Sequence, residues 1–157
     1  MKKILLLLLL CITCSSSFAQ IKIILKLDDF IAKNGTCTGS TTLDYILTKK
    51  IKATIGAVAT KFDATALSTL SPYLNATNLS NEKLLEVWHH GYDHIAPEFI
   101  GTSYAYQKAH FENANDSIKN CLRLQMRSFG APFNHNDAVT NTVISENSNY
   151  KVCMFNN

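Results

Sequence analysis

The sequence predicts an α/β fold in which strands and helices alternate along the chain. Apolar, strand-like segments occur at 21–27 and 53–59, and each is followed by a stretch with helical spacing. Such alternation builds a parallel sheet with right-handed crossovers, either open or curling toward a barrel. Ionisable residues follow two of the expected strands, which is where α/β enzymes present their chemistry.

Residue patterns set the expected boundaries of these elements. Residues 21–27 form an apolar run too continuous for a half-exposed strand, so we expect a buried parallel strand that ends at Asp28. Thr41 and Asp44 have the spacing of a capping box, which predicts a helix start. The expected strands are 21–27, 53–59, 87–90, 127–131 and 150–155, and the expected helices are 41–51, 64–76 with Pro72 bending or splitting it, 81–87, 103–125 and 137–146.

The first nineteen residues have the features of a secretory signal peptide. Lys2 and Lys3 precede an apolar run, and a polar stretch then ends at Ala19. We therefore expect residues 1–19 to be removed and residues 20–157 to form one domain that is secreted or periplasmic. No later stretch approaches the ~20 apolar residues that a membrane-spanning helix needs.

Charge and cysteine content narrow the class of protein further. Removal of Lys2 and Lys3 lowers the net charge from +3 to +1, which is not the balance of a nucleic-acid-binding protein. A lipoprotein anchor at Cys11 or Cys14 is the alternative to secretion, but the residues before each cysteine lack the expected small side chains. The odd number of remaining cysteines leaves at least one without a partner in the chain, and we interpret them as small buried side chains with one disulfide at most: Cys37, Cys121 and Cys153.

Two ionisable clusters, about sixty positions apart, carry the chemistry expected of this chain. Asp28 and Asp29 follow the first strand, and both side chains reach one site only if the backbone turns there. His90 and His94 follow the third expected strand. One carboxylate and two neutral imidazoles leave coordination positions open, which is typical of catalytic zinc and related sites. The second carboxylate is then free to accept a proton.

Each cluster also has a purely structural interpretation. An Asp-Asp pair often caps a helix or lies in a solvated turn. The histidine pair could lie on one face of a helical turn, but Gly91 between the two residues favours a loop that folds back. We interpret His89 as a supporting or wall residue, and Trp88 and Tyr92 as packing residues or a surface on which a sugar stacks.

A third segment completes a family resemblance. Residues 127–135 have the pattern of a strand running into a proline-ended loop. Taken in order, the three segments resemble the motifs of the polysaccharide deacetylase family, also called the NodB-homology family. They are Leu27-Asp28-Asp29-Phe30, then Trp88-His89-His90-Gly91-Tyr92-Asp93-His94, then Phe129-Gly130-Ala131-Pro132-Phe133-Asn134, and the resemblance covers roughly 21 to 155.

This resemblance implies an incomplete, distorted (β/α) barrel that binds a divalent metal, with zinc expected, and removes acetyl groups from N- or O-acetylated carbohydrate such as cell-wall glycan. The metal would activate water, and a backbone N–H near Tyr92 or Asp93 would stabilise the oxyanion. The roles carried over are Asp28 as catalytic base and Asp29, His90 and His94 as metal ligands.

The chain departs from the family pattern at several positions. Gly130 stands where the family has an arginine that partners the base, and Arg127 is the candidate replacement. Phe30 takes the place of a glycine. The family's two later motifs, including the histidine that protonates the leaving group, have no counterpart here, so we expect a truncated chain. His135 is the one candidate for that acid.

Three functions remain open on the sequence alone. The first is a secreted, metal-dependent carbohydrate deacetylase. The second is a non-catalytic, deacetylase-like module that binds metal or glycan. The third is an unrelated metallohydrolase acting on a non-sugar ester or amide. An incomplete barrel would also leave an open sheet edge, so we expect the polypeptide to be marginally stable or prone to association.

Overall fold

The computed structural model describes residues 23–154 as a six-stranded sheet packed against helices. The predicted signal peptide lies outside the described residues. Within them, no helix combines the length and apolar character needed to cross a membrane. In chain order the elements are β1 (Leu25–Lys33), β2 (Thr36–Cys37), α1 (Ser40–Lys49), β3 (Ala53–Phe62), α2 (Ala66–Asn75), β4 (Leu85–His89), α3 (Tyr104–Leu122), β5 (Ser128–Gly130), a 3₁₀ turn (Pro132–Asn134), α4 (Ala138–Ser145) and β6 (Val152–Met154).

The sheet has the strand order β2-β1-β3-β4-β5-β6. All neighbouring strands are parallel except β1 and β2, which form a short antiparallel pair. The prediction of an α/β fold with a parallel sheet is therefore confirmed. The carboxyl ends of β1, β4 and β5 lie at the same edge of the sheet, which is where open α/β sheets carry their sites.

The first strand differs from its prediction, because it continues past the two aspartates to Lys33. Its pairing with β3 shifts register between Leu27 and Phe30, and Asp29 has a φ of 54°. A bulge of this kind bends a strand locally and redirects side chains without ending the pairing. The two aspartates therefore lie at a bulge within β1, and not at a turn that ends the strand.

The helix predicted at 81–87 was wrong. The side-chain oxygen of Asn78 accepts hydrogen bonds from the backbone N–H groups of Ser80 and Glu82, both at 2.9 Å, and closes a turn. The chain then enters β4 directly. Short apolar runs fit a strand and a buried helix equally well, and here the asparagine turn decides between them.

The predicted capping box at Thr41 is also absent. Helix α1 begins at Ser40 after Gly39, which has a φ of 64° and makes no side-chain cap bond. A capping box occurs instead at α4, where Asp137 accepts from the N–H of Thr140 and the Thr140 hydroxyl accepts from the N–H of Asp137.

The core lies between the sheet and the helices. Helix α3 buries residues at three- and four-residue spacing, which is the pattern that predicted it. Each large apolar side chain that is fully buried contributes roughly 1.5–3 kcal/mol. Members of this core include Ile55 and Ala57 from β3, Val87 from β4, Phe129 from β5, and Phe111, Ala114, Ile118 and Leu122 from α3.

The three described cysteines form no disulfide with one another. Cys37, Cys121 and Cys153 are all free and half-buried. Burial is the largest cause that raises the pKa of each thiol. They are half-buried packing residues whose thiols stay protonated at neutral pH.

Candidate metal centre

Asp29, His90 and His94 lie together at the carboxyl edge of the sheet. The Asp29 Oδ1 atom is 3.1 Å from His90 Nε2 and 2.8 Å from His94 Nε2. One donor atom from each of the three residues lies within 4.8 Å of the others. The structure thus brings together three of the four residues to which the sequence assigned chemistry.

His90 is held by two backbone contacts. Its N–H donates to the carbonyl of Ala57 at 3.0 Å, and its Nδ1 lies 2.8 Å from the carbonyl of Gly130. A carbonyl can only accept, so Nδ1 carries the proton and Nε2 presents its lone pair toward Asp29. Burial lowers the pKa of His90, which favours the neutral imidazole that binds a metal.

The three residues fit a divalent metal. A ligand histidine whose other ring nitrogen donates to a carbonyl is the usual arrangement in metal sites. Two imidazoles and one carboxylate suit zinc and related ions. The Asp29 side chain is 65% exposed, whereas that of His90 is 5% exposed. The cluster therefore opens to solvent on the aspartate side, where water and a substrate could reach it.

Two of these residues adopt the left-handed backbone region. Asp29 has a φ of 54° and His94 a φ of 60°. This region is uncommon for side chains other than glycine, and such residues concentrate at functional sites, where surrounding contacts hold them.

A buried glutamate, which sequence reasoning missed, supports the loop that carries His94. The Glu98 side chain is 1% exposed and accepts hydrogen bonds from the backbone N–H groups of Tyr92 and His94. Burial raises the pKa of Glu98. Its position between Pro97 and Phe99 in an apolar stretch was the one available signal.

His110 of α3 was missed as well, because its spacing resembles that of an ordinary helix interior. Its Nδ1 atom lies 3.3 Å from Glu98 Oε1 and 4.0 Å from Asp93 Oδ1. The rings of Tyr106 and Tyr92 pack on it at 4.0 and 5.4 Å between centroids. Glu98, Asp93 and His110 form a second ionisable cluster, in which one donor atom of each residue lies within 4.8 Å of the others.

Asp28 lies beside a cation from its own strand. Its Oδ2 atom is 3.1 Å from the Nζ atom of Lys26, which also lies 4.8 Å from the centre of the Trp88 ring. Arg127, the candidate partner, is exposed and lines a cavity of about 590 Å³ with Lys52 and Lys83, at the amino ends of the strands. Lys26, and not Arg127, is therefore the basic partner of Asp28.

The packing of Trp88 explains why position 130 carries glycine rather than a residue with a side chain. A Cβ atom on Gly130 would lie 2.7 Å from the Trp88 ring, and one on Gly56 would lie 2.4 Å from it. Trp88 is 1% exposed, so of its two interpretations packing is supported and an open sugar-stacking surface is not. The indole fills space over the sheet in which a side chain at position 130 would otherwise lie.

The remaining candidates lie outside the three-residue cluster. His89 is fully buried, stacks on Phe111, and has a pKa lowered to about 3 by burial. Its Nδ1 atom accepts from the N–H of Gly91 at 3.1 Å, so it supports the turn after β4 and is not a ligand. His135 is exposed, with its ring 6.2 Å from that of Phe133.

Comparison with known proteins gives a fold but no sequence relative. No family model and no curated protein match the chain. The Xyl-CE4 domain of a multidomain xylanase from the hindgut metagenome of Trinervitermes trinervoides matches with a TM-score of 0.64 at 20% identity, over 85% of this chain and 57% of that one.

Two further solved structures share the fold. A family 4 carbohydrate esterase from Streptomyces lividans, in complex with acetate, has a TM-score of 0.65 at 15% identity, over 85% of this chain and 62% of that one. A CE4 family pseudoenzyme from Bacillus anthracis has a TM-score of 0.54 at 17% identity, over 85% and 43%. The chain spans less than two thirds of each structure, and it has the fold of the CE4 carbohydrate esterases.

Proposed function

We propose that this protein is a metal-dependent hydrolase that removes acetyl groups from N- or O-acetylated carbohydrate. The observation that carries the proposal is the convergence of Asp29, His90 and His94 on one point with a solvent-facing side. Asp28 precedes Asp29 on β1, and its negative charge raises the pKa of the His90 imidazole against the effect of burial. The CE4 fold supports the same chemistry.

The chain's own residues would divide the reaction as follows. A bound divalent metal supplies Lewis acidity toward the acetyl carbonyl and toward water. Asp29, His90 and His94 hold it, and the Nδ1–H bond to Gly130 fixes the orientation of His90. Asp28 accepts the proton of the attacking water, while the ion pair with Lys26 orients the Asp28 carboxylate.

Two further roles follow from the contacts of the loop. The Tyr92 N–H is bonded to Glu98, so of the two candidate oxyanion donors we assign the role to the Asp93 N–H. His135 is exposed and outside the cluster. Asp28, once protonated, is therefore the group that returns a proton to the leaving amine or alcohol, because a base in one step can serve as the acid in the next.

Acetate release tests this proposal. The purified protein, loaded with Zn²⁺ or Co²⁺, is incubated with a panel of acetylated glycans that includes chitin-like, peptidoglycan-like and O-acetylated polymers. We expect acetate release that is lost in Asp28→Asn while the metal content stays the same. Release that persists in Asp28→Asn would contradict the assignment of the base.

A non-catalytic module that binds metal or glycan is the second candidate. Gly130 in place of an arginine favours it, and one structure of similar fold is a pseudoenzyme. Retention of the metal without acetate release from any polymer of the panel would select this function.

We also propose that residues 1–19 direct export and that the domain acts outside the cytoplasm. The charged start, the apolar run and the small residue at Ala19 support this. Mass spectrometry of protein recovered from an exporting host would show a mature amino terminus at Gln20. An intact Met1 on exported protein, or a lipid on Cys11 or Cys14, would contradict it.

A further inference from the structure

The carboxylate of Glu98 is enclosed by the loop that carries a proposed metal ligand. Its side chain is 1% exposed and accepts from the N–H groups of Tyr92 and His94. The Nδ1 atom of His110 lies 3.3 Å from Oε1. An ionised carboxylate can only accept, so the tautomer of His110 that fits it carries its proton on Nδ1. Three donors thus converge on one carboxyl group whose burial would otherwise be costly.

The backbone around this carboxylate is shaped to reach it. A Cβ atom on Gly91, which has a φ of 85°, would lie 2.7 Å from Glu98 Oε2 and 2.5 Å from a Pro132 ring carbon. Glycine is therefore required where the loop passes the carboxylate. Beyond the bend, His94 adopts a φ of 60°, a conformation that surrounding contacts must stabilise.

The loop is fixed from two sides. The N–H groups of Ala59 and Thr60 in β3 donate to the carbonyls of Gly91 and Tyr92 at 3.2 and 2.8 Å. These bonds hold the first half of the loop to the sheet. The bond from the His94 N–H to Glu98, at 3.1 Å, holds the second half, and that bond belongs to the ligand residue itself.

We propose that Glu98 is a positioning residue that holds His94 in the orientation needed to bind the metal. It acts through the N–H groups of Tyr92 and His94, and His110 supplies the third donor that keeps the carboxylate in place. The inference rests on the proposed function, because it takes Asp29, His90 and His94 as the metal site.

Cobalt titration of the full chain tests the proposal, with Co²⁺ affinity and its absorption spectrum as readouts. We expect Glu98→Gln to lower the affinity 10–100-fold, the usual effect of losing a group that orients a ligand. An amide nitrogen cannot accept from a backbone N–H, so the substitution removes one anchor while keeping the side-chain shape. Glu112→Gln on the exposed surface of α3 is the matched control, and its affinity should be unchanged.

Amide hydrogen exchange of the metal-free protein is the second readout, and it does not depend on the metal site. The Tyr92 and His94 amides should exchange slowly in the wild type and at least tenfold faster in Glu98→Gln, with global stability as the reference. His110→Asn is the milder variant if Glu98→Gln fails to fold, and it should show the same changes to a smaller degree.

The outcomes separate this inference from the proposed function. Wild-type protein that binds no Co²⁺ would overturn the metal site, while exchange of the two amides would still decide the role of Glu98. Unchanged exchange and affinity in Glu98→Gln would overturn the inference. A second Co²⁺ per chain that is lost in Glu98→Gln, with the first retained, would also overturn it by showing that Glu98 is itself a ligand.

Discussion

At the residue scale, the partner of Asp28 shows how a local substitution changes a site. Position 130 carries glycine, so β5 provides no cation beside the carboxylate. Lys26, two residues before Asp28 on the same strand, projects to the same face and lies 3.1 Å from it. The Lys26 Nζ atom also lies 4.8 Å from the centre of the Trp88 ring, in a cation–π contact.

This arrangement makes Lys26 a residue whose loss affects turnover more than metal binding. We expect Lys26→Met to lower kcat about tenfold, or roughly 1.4 kcal/mol of barrier, because the base loses its orienting charge. Lys26→Arg should keep most of the activity. Steady-state kinetics with a glycan that releases acetate measure the effect, and an unchanged kcat in Lys26→Met would refute this role.

The sequence predicted the residues that cluster at the sheet edge better than the residues that support that cluster. Asp29, His90 and His94 could be identified because each follows an expected strand, and parallel strands bring their carboxyl ends together. Glu98 and His110 could not, because their roles depend on the path of residues 95–103, which has no periodicity to read. The basic partner of Asp28 is Lys26 and not the expected Arg127, because residues two apart on a strand project to the same face.

At the element scale, close packing on β4 limits what its neighbours can carry. Gly130 of β5 lies against the Trp88 ring, and a Cβ atom at this position would be 2.7 Å from that ring. We expect Gly130→Ala to lower the free energy of unfolding by about 1–3 kcal/mol, the usual cost of overpacking. Urea denaturation of the metal-free protein measures it.

The smaller ring in Trp88→Phe gives the control for this prediction. In the Trp88→Phe protein, Gly130→Ala should lower the free energy of unfolding by clearly less, since the clash is with the six-membered ring of the indole. Equal costs in both backgrounds would mean that the tryptophan does not set the limit at position 130.

The cap of α4 gives a prediction about pH. Partial burial raises the pKa of Asp137, but hydrogen bonds from Gly101, Thr140, Gln107 and Val139 lower it by more. A carboxyl group with a lowered folded-state pKa contributes stability above its unfolded pKa of about 3.9, and this is lost as the pH falls through the folded value.

Asp137→Ala should therefore lower the free energy of unfolding by about 1 kcal/mol at pH 7, the usual contribution of an N-cap residue. Asp137→Asn can still cap the helix but cannot ionise, so its difference from the wild type should shrink below about pH 4. Urea denaturation between pH 3 and 7 checks both. A difference that grows as the pH falls would contradict the sign.

The predicted elements were more reliable where periodicity was long. Helix α3 was predicted at 103–125 and spans Tyr104–Leu122, because its buried residues repeat along most of its length. The predicted helix at 81–87 was wrong because seven residues do not distinguish a helix from a strand preceded by a turn. The hairpin of β1 and β2 was missed, since β2 is two residues long.

At the scale of the whole molecule, the sheet ends at β6 in the described part of the chain. Val152 on this edge is 51% exposed, and an apolar edge strand offers unpaired backbone groups to another chain. We expect concentration-dependent association in sedimentation experiments, reduced by Val152→Lys. A wild type that stays monomeric at high concentration and unfolds cooperatively would count against this prediction.

The fold class was predictable because alternation of strands and helices allows few topologies. The same alternation could not show how far the sheet closes, since closure depends on strand tilt and register rather than on local pattern. The register shift in β1 between Leu27 and Phe30 is an example, because it redirects Asp29 without altering the hydrophobic pattern of the sequence.

Equilibrium dialysis with Zn²⁺, followed by elemental analysis, tests the central claim most directly. The metal site predicts one ion per chain, lost in Asp29→Ala and in His94→Ala and retained in Asp28→Asn. Saturation at about 100 times the Kd should also stabilise the folded state by about 2.7 kcal/mol. A wild type that binds no ion, or one whose ion is retained in both ligand variants, would contradict the account.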